Sequence, residues 1–546
     1  MQKTRAERHK QQRLELDLRA QGRLVERLRD PARYAHPVES VRLLETHISY
    51  VLLTGAFAYK IKKAVDLGFL DFTSLDRRRR FCEEELRLNS RFAPDLYLEV
   101  VPVCGTPEVP HVGGNGEAIE FAVKMCEFPQ EALAGRVVAR GEMTSSHIDC
   151  LAHDVADFHA RAPAASRSGP YGTPEAIGAD SAQNYAQVRA LRPQPSQLPV
   201  IDQLESWGLR EHRDRREAFL ARLHEGRVRE CHGDLHLGNI VLLEGRLRLF
   251  DCIEFNPELR WLDVMNEAAF LLMDLQAAAR PDFAARFLNA YLESTGDYSG
   301  LSVLRYYLTY RAMVRAKIQL MRARQLGPGT AASAAAESQF AGYLSLAGSC
   351  ARAPAPFIVI THGFSGSGKT TLSQPLLEIT GAIRIRSDVE RKRLHGVAPT
   401  QPAGSEISEG LYAADATEST YLRLLELAQG IVGSGYGVIV DATFLQRARR
   451  QEFRALAARM AVPFAIADFA ASEDILRARI GGRRERGGDA SDADLAVLAH
   501  QLRTHEPLEG EELQTVFACD ASAPLSRAQR RQTWAGLLRR LSLPVD

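Results

Sequence analysis

Apolar residues recur along this chain in two rhythms, and the places where the rhythm changes divide it. Between about residues 40 and 130 they gather in short runs, ISYVLL, FAYKIK, LYLEVVPV and AIEFAVKM, around one charged stretch, SLDRRRRFCEEELRLNSRF. Short runs of this kind predict strands and the charged stretch a single helix, an α+β layout. From about 140 to 345 helical spacing dominates, except for NIVLL and RLRLF, which the turn-like Glu244, Gly245 and Arg246 separate as in a hairpin. Prolines then break the pattern in SCARAPAP at residues 349–356, read as a linker. Beyond it FIVIT, AIRIR, GVIVDAT, FAIADFA and TVFACD alternate with helical stretches, which predicts an α/β domain with a mostly parallel sheet. Residues 1–35, with Leu14, Leu18, Leu24 and Leu28 near the helical period among many charges, predict a solvated helix. The expected organisation is that helix, a domain over 36–348, the linker, and a second domain over 357–546.

Composition narrows the classes. The 546 residues are 45% hydrophobic and 25% charged, which supports full cores and excludes disorder or fibrous repeats as the main state. Lys plus Arg (69) nearly balance Asp plus Glu (68), so no chain-wide basic footprint for nucleic acid or an anionic membrane exists, although a local patch stays open. The eight cysteines form no C-x-x-C pair and read as reduced thiols of a cytoplasmic protein. Apolar stretches such as AAFLLMDLQAAA carry Asp274 and fall short of the roughly 20 residues a membrane span needs, so no membrane partner is expected.

Residues 363–370, GFSGSGKT, fit G-x-x-x-x-G-K-[ST] between a strand-like run and a helical one. Gly363, Gly366 and Gly368 let the backbone curl so that its N–H groups face an anion; Ser365, Ser367 and Thr371 complete the cradle. Lys369 brings a point charge to the β/γ-phosphates, and Thr370 can ligate Mg²⁺. Two carboxylates at strand ends add to this, Asp441 as a metal-side acid and Asp388 as an acceptor of a hydroxyl proton; each alone fits an N-cap or a solvated strand end. Arg477, Arg479, Arg483, Arg484 and Arg486, near glycines 481, 482, 487 and 488, read as a mobile lid over a transferring phosphoryl group or as a solvated basic helix. Over about residues 355–545 the chain resembles the P-loop kinase group that includes polynucleotide 5′-hydroxyl kinases, zeta-toxin-like kinases and small-molecule kinases. The resemblance implies Asp388 of RSDVER as general base, Arg391 as an acceptor or phosphate contact, Asp441 at the metal, and Arg479 and Arg483 in the lid.

Residues 231–255 read CHGDLHLGNIVLLEGRLRLFDCIEF. His232, Asp234 and Asn239 have the H-x-D-x-x-x-x-N spacing of a kinase catalytic loop, and the hairpin then delivers Asp251. Asp234 is thus the candidate base, Asn239 and Asp251 the metal ligands, and Glu254 an auxiliary acid. A zinc site at His232 and His236 is disfavoured, because no thiol or further histidine stands at ligand spacing. Upstream, strand alternation puts Lys60 and Lys62 on one face and Lys63 on the other, so one of the first two should touch the α/β-phosphates. An inward stripe of Phe81, Leu88 and Phe92 includes Glu85, the first choice of ion-pair partner, with Glu84 second and plain surface charge the alternative for either. HGDLHLGN and FDCIEF resemble the aminoglycoside and choline phosphotransferase family over about residues 40–345. That resemblance implies a protein-kinase-like fold and ATP-dependent transfer to a small-molecule hydroxyl; LLTGAFAYK has no G-x-G-x-x-G before its lysine, as in that family.

The whole chain resembles bacterial fusions of such a phosphotransferase with a P-loop kinase. The resemblance implies ATP and Mg²⁺ at both sites and small-molecule hydroxyl acceptors. The alternatives are a nucleotide-sensing half that regulates the other, and a nucleic-acid 5′-hydroxyl acceptor for the P-loop half; the second would need a basic groove with stacking aromatics, which are few near the lid.

Overall fold

The computed structural model describes residues 18–68, 70–353, 355–397, 414–486 and 494–545, without the side chains of residues 414 and 483–486. The chain forms two compact units, Met1–Ala176 with Leu220–Leu271, and Ile177–Phe219 with Leu272–Asp546.

In the first unit the strand-like runs become β1 (Arg42–Glu45), β2 (Ser49–Leu53), β3 (Phe57–Lys62), β4 (Tyr97–Gly105), β5 (Pro110–Val112) and β6 (Ala118–Cys126). They form one antiparallel sheet in the order β1-β2-β3-β6-β4-β5. The Leu75–Asn89 helix, capped by the Ser74 side chain on Arg77 N–H, packs on β4 and β6. Its buried face is Arg78, Cys82, Glu85, Leu88 and Asn89. This corrects the expected stripe: Phe81 is half-buried and Phe92 lies beyond the helix end, whereas 78, 82, 85 and 89 follow the 3.6-residue period. Polar groups occupy this face because each is partnered; Arg78 Nε, for example, donates to Glu120 at 2.9 Å.

The N-terminal helix is corrected as well. Helical residues 18–27 are not a solvated rod: Leu24, Val25 and Leu28 are buried with Tyr34, Tyr50, Tyr59 and Ile61. Gln21 Nε2 also donates to Lys62 O at 2.7 Å and to Glu120 Oε2 at 2.8 Å. Leu14 lies outside the described residues. Two short strands, β7 (Val228–Glu230) and β10 (Trp261–Asp263), pair antiparallel inside the stretch read as helical apart from its hairpin. The hairpin is β8 (Ile240–Leu243) and β9 (Arg246–Leu249), turning through Glu244 at φ +49° and Gly245 at φ +75°.

The second unit contains β11 (Ile358–His362), β12 (Ile383–Arg386), β13 (Val438–Asp441), β14 (Phe464–Ala470) and β15 (Val516–Asp520), in the order β12-β13-β11-β14-β15 with every pair parallel. After β11 the chain builds β12 and β13 on one side, then β14 and β15 on the other, so the order reverses at β11 and opens a crevice at its carboxyl end. The Lys369–Thr380 helix starts there. The same unit includes the Pro281–Thr295, Leu301–Leu326 and Ala331–Ala351 helices, the last continuing into the stretch read as a linker. Ala285 of the first of these joins Phe357, Val359, Leu376, Ile439 and Trp534 in one core cluster. Among the described residues no helix is long and apolar enough to cross a membrane.

Candidate active sites

The alternation of β3 turns Lys60 and Lys62 toward the Leu75–Asn89 helix and Lys63 away, to Glu45 at 2.6 Å. Glu85 receives both: Lys60 Nζ lies 2.8 Å from Oε1 and Lys62 Nζ 2.6 Å from Oε2. Lys60 also bonds Asp251, and Lys62 bonds Glu254. Exposure separates the two lysines, since the Lys62 side chain is 0% exposed and Lys60 retains 11%. Burial pulls the Lys60 ammonium down, but Asp251 and Glu85 outweigh it and hold its pKa well above the ordinary value. Glu85 is held at about 2, because Lys60 and Lys62 overcome the opposing cost of its burial. Glu254 moves the other way, raised chiefly by burial. Glu84, the second choice, pairs instead with Arg87 and Arg260, each at 2.8 Å.

The loop after β7 carries Asp234 and Asn239. Asn239 Nδ2 donates to Asp234 Oδ2 at 2.9 Å and to Asp234 O at 3.0 Å, so the two residues fix each other. His232 Nε2 lies 2.8 Å from Phe250 O, tying this loop to the segment that enters Asp251. Asp251 has φ +64°, unfavourable for a residue with a Cβ, and flanking hydrogen bonds hold it there: its N–H donates to Tyr97 Oη at 3.0 Å, and Cys252 N–H to Asn89 Oδ1 at 2.9 Å. Both acids open outward, with side chains 36% (Asp234) and 42% (Asp251) exposed. The Asp251 carboxylate and the Asn239 amide oxygen are hard-oxygen donors of the kind that fits Mg²⁺.

Beneath the loop, the buried Glu267 accepts from His232 N–H at 2.7 Å and Gly233 N–H at 3.0 Å, with His159 Nε2 3.0 Å away. Burial would raise its pKa, yet the His159 contacts and the nearby His232 bring it down to about 2. Burial lowers His232, favouring its neutral form. Among the described residues, His159, Cys231 and Glu267 form the one cluster with metal-like spacing. Glu267 is already occupied by N–H donors, so the cluster reads as a brace for the loop, while His236 turns to Asp234 at 3.4 Å.

In the second unit Gly363, Gly366 and Gly368 all have positive φ, at +141°, +84° and +86°. A Cβ on Gly366 would stand 2.9 Å from Leu476 O, and one on Gly363 2.7 Å from Phe469 O. Lys369 Nζ lies 2.9 Å from Gly363 O and 2.9 Å from Phe364 O, folded over its own loop. Ser367 Oγ is buried with no hydrogen-bond partner among the described residues, as a loop shaped for an added acceptor would have it. Thr370 Oγ1 donates to Asp441 Oδ2 at 2.6 Å, placing a hydroxyl and a carboxylate where they fit Mg²⁺.

Lys369, Thr370, Thr371, Asp388, Arg391 and Asp441 line a cleft of about 1130 Å³. Asp388 is not at the end of β12; it occupies the first turn of the Ser387–Leu394 helix, 3.0 Å from Arg391. Arg479 lies against the cradle, donating to Ser367 O at 3.2 Å and Ala521 O at 2.8 Å. The Arg483 side chain lies outside the described residues. Ser365 is clasped by Gln501, which accepts from its N–H and donates to its Oγ, both at 3.0 Å.

Sequence reasoning missed Glu267, His159, Tyr97, Asn89, Gln501 and Arg386. A signal existed for one of them, since Glu267 is an acid inside the apolar run VMNEAAFLLM.

A lysine–glutamate pair facing a base-and-acid loop, and a glycine cradle at the reversal point of a parallel sheet, are both phosphoryl-transfer architectures. The description "Phosphotransferase enzyme family" matches residues 72–307, and "AAA domain" matches residues 358–508. An uncharacterized protein of Mycobacterium tuberculosis (strain ATCC 25618 / H37Rv) is 32% identical over 493 residues, covering 87% of this chain and 95% of its own length. A protein of Mycobacterium bovis (strain ATCC BAA-935 / AF2122/97) gives the same figures. Among solved structures, a choline/ethanolamine kinase family protein from Mesorhizobium loti is 13% identical with a TM-score of 0.37, covering 59% of this chain and 94% of that one. A gluconokinase from Sinorhizobium meliloti 1021 is 24% identical with a TM-score of 0.26, covering 35% and 95%. The chain is a kinase built from a phosphotransferase domain and a P-loop kinase-like domain. It belongs to the same family as the two mycobacterial proteins.

Proposed function

We propose that the chain is a bifunctional ATP-dependent phosphotransferase, each half moving the γ-phosphoryl of ATP to a hydroxyl of a small molecule. The observation that carries this reading is that each half keeps a full set of groups for transfer: Lys60, Glu85, Asp234, Asn239 and Asp251 in one, Lys369, Thr370, Asp388 and Asp441 in the other.

In the first site Lys60 exchanges its contact with Asp251 for the α/β-phosphates, and Glu85 keeps the ammonium oriented. Asp234, steadied by Asn239, takes the acceptor's hydroxyl proton, while Asn239 and Asp251 would hold Mg²⁺. In the second site the backbone N–H groups between Gly363 and Thr370 receive the phosphates, and Lys369 turns from its loop carbonyls to the β/γ oxygens. Thr370 and Asp441 would hold Mg²⁺ there; Asp388 accepts the hydroxyl proton, and Arg391, 3.0 Å away, directs that carboxylate. At either site bound Mg²⁺ would neutralise charge on the phosphoryl oxygens. All eight cysteines are unpaired, which supports a cytoplasmic setting.

The test is transfer of label from γ-labelled ATP into a metabolite extract by wild type, Asp234→Asn and Lys369→Ala, with products resolved by mass. Each variant should lose a different product. Identical labelling by all three proteins would overturn the two-site reading.

A further inference from the structure

A helix outside the P-loop segment reaches the strand that ends beside Asp441. The Pro281–Thr295 helix lies within the stretch matched by the phosphotransferase family, yet it belongs to the same compact unit as β12. It meets β12 and its flanks at three levels. Arg286 Nη1 lies 2.7 Å from Glu378. Asn289 acts as a substitute strand neighbour, donating to Ala382 O at 3.0 Å and accepting from Arg384 N–H at 2.7 Å, which satisfies one side of the edge strand. Glu293 Oε1 then holds Arg386 Nη1 at 2.8 Å, and Glu293 O accepts from Arg393 at 2.5 Å.

Arg386 is the residue of consequence. It is the last residue of β12, lines the cleft, and places Nε 4.0 Å from Asp441 Oδ2, the oxygen that also accepts from Thr370. A guanidinium in that position can go to either of two carboxylates. Paired with Glu293, it stays at the longer distance and leaves Asp441 available to a cation. Without Glu293 the pull of Asp441 on it is no longer opposed by that carboxylate, and Asp441, with a side chain 4% exposed, is poorly screened. Arg384, which donates to Thr370 O at 2.8 Å and feels both Glu293 and Asp441, would also lose one of its two neighbouring carboxylates with Glu293.

We infer that Glu293 is a positioning residue for the P-loop site, acting through Arg386 to keep Asp441 free for Mg²⁺. The inference rests on the proposed nucleotide-binding role of that loop.

The experiment measures binding of a fluorescent ATP analogue to the full chain, taking the part of the signal that Lys369→Ala abolishes as the P-loop component. It is titrated with Mg²⁺ and repeated in EDTA. Glu293→Gln should raise the Mg²⁺ concentration for half-maximal binding about tenfold, the scale of effects from groups that orient metal ligands. Binding in EDTA should stay unchanged, and Glu293→Asp should restore most of the Mg²⁺ response. Arg286→Ala, which loosens the same helix without touching Arg386, separates docking from positioning and should leave the Mg²⁺ midpoint at the wild-type value.

An unshifted midpoint in Glu293→Gln overturns the inference, as does an equal shift in Arg286→Ala, which would assign the effect to helix docking. Absence of any Lys369-dependent binding in the wild type instead overturns the nucleotide-binding reading beneath it.

Discussion

Two lysines converge on Glu85, and their exposure predicts different consequences for replacing each. Lys62→Met leaves Glu254 and one oxygen of Glu85 buried without a counter-ion, at a cost of roughly 3–5 kcal/mol in urea unfolding. Lys60→Met leaves Glu85 paired with Lys62, so it should abolish nucleotide binding at the first site for a smaller loss of stability. Adding Glu254→Gln to Lys62→Met should recover part of the loss; no recovery would show that the missing alkyl packing, not the unpaired charge, sets the cost. Glu267 predicts a pH effect. Its folded pKa of about 2 lies below the ordinary 4.5, so the fold favours the carboxylate: the stabilisation is complete above pH 4.5 and fades as pH falls toward 2. Glu267→Gln should therefore be less stable at neutral pH and show a flatter acid limb between those values, measured by urea midpoint against pH. An acid limb as steep as the wild type's would assign the effect to other carboxylates.

At the scale of elements, sequence legibility followed whether a signal was local. Strand alternation put Lys60 and Lys62 on one face, and the catalytic-loop spacing brought Asp234 to Asn239, because each signal sits within a few residues. The partners of Glu267 and Glu293 were not legible, since they lie 35 and 93 residues away and no local pattern encodes such a pairing; the apolar run around Glu267 signals only that the acid is buried. The strands of β11–β15 were legible as apolar runs; β7 and β10, each only three residues long, were not. The N-terminal helix misled because its charges outnumber the few apolar residues that anchor it. The glycine positions of the loop were legible, all three taking positive φ, and their geometry makes a prediction. Gly366→Ala forces a Cβ to 2.9 Å from Leu476 O at φ +84°, strain of about 1–3 kcal/mol confined to the loop. It should weaken Lys369-dependent nucleotide binding by tenfold or more while thermal unfolding shifts by only a few degrees. Unchanged affinity would show that the loop adapts.

For the whole molecule, the compact units do not coincide with the sequence segments that the family descriptions match. The chain passes from one unit to the other at Ala176, at Phe219 and at Leu271. A protease site engineered between residues 352 and 357 is therefore predicted to nick the chain without releasing its P-loop segment. The Pro281–Thr295 helix and β12 remain joined through Asn289, Glu293 and Arg286, and Ala285 remains in the same core cluster. The two fragments should co-elute in size exclusion under native conditions and part in urea; separation without denaturant would contradict this account.

The threefold crossing also imposes a timetable on biosynthesis. Residues 177–219 leave the ribosome before any strand of the sheet in their own unit has been translated, whereas residues 220–271 follow at once and complete the other unit. At roughly 5–20 residues per second, the early helices wait on the order of tens of seconds for β15, the last strand of their sheet. During that interval the nascent chain holds one finished unit and one awaiting its sheet, and the apolar faces of the early helices stay uncovered until that sheet arrives.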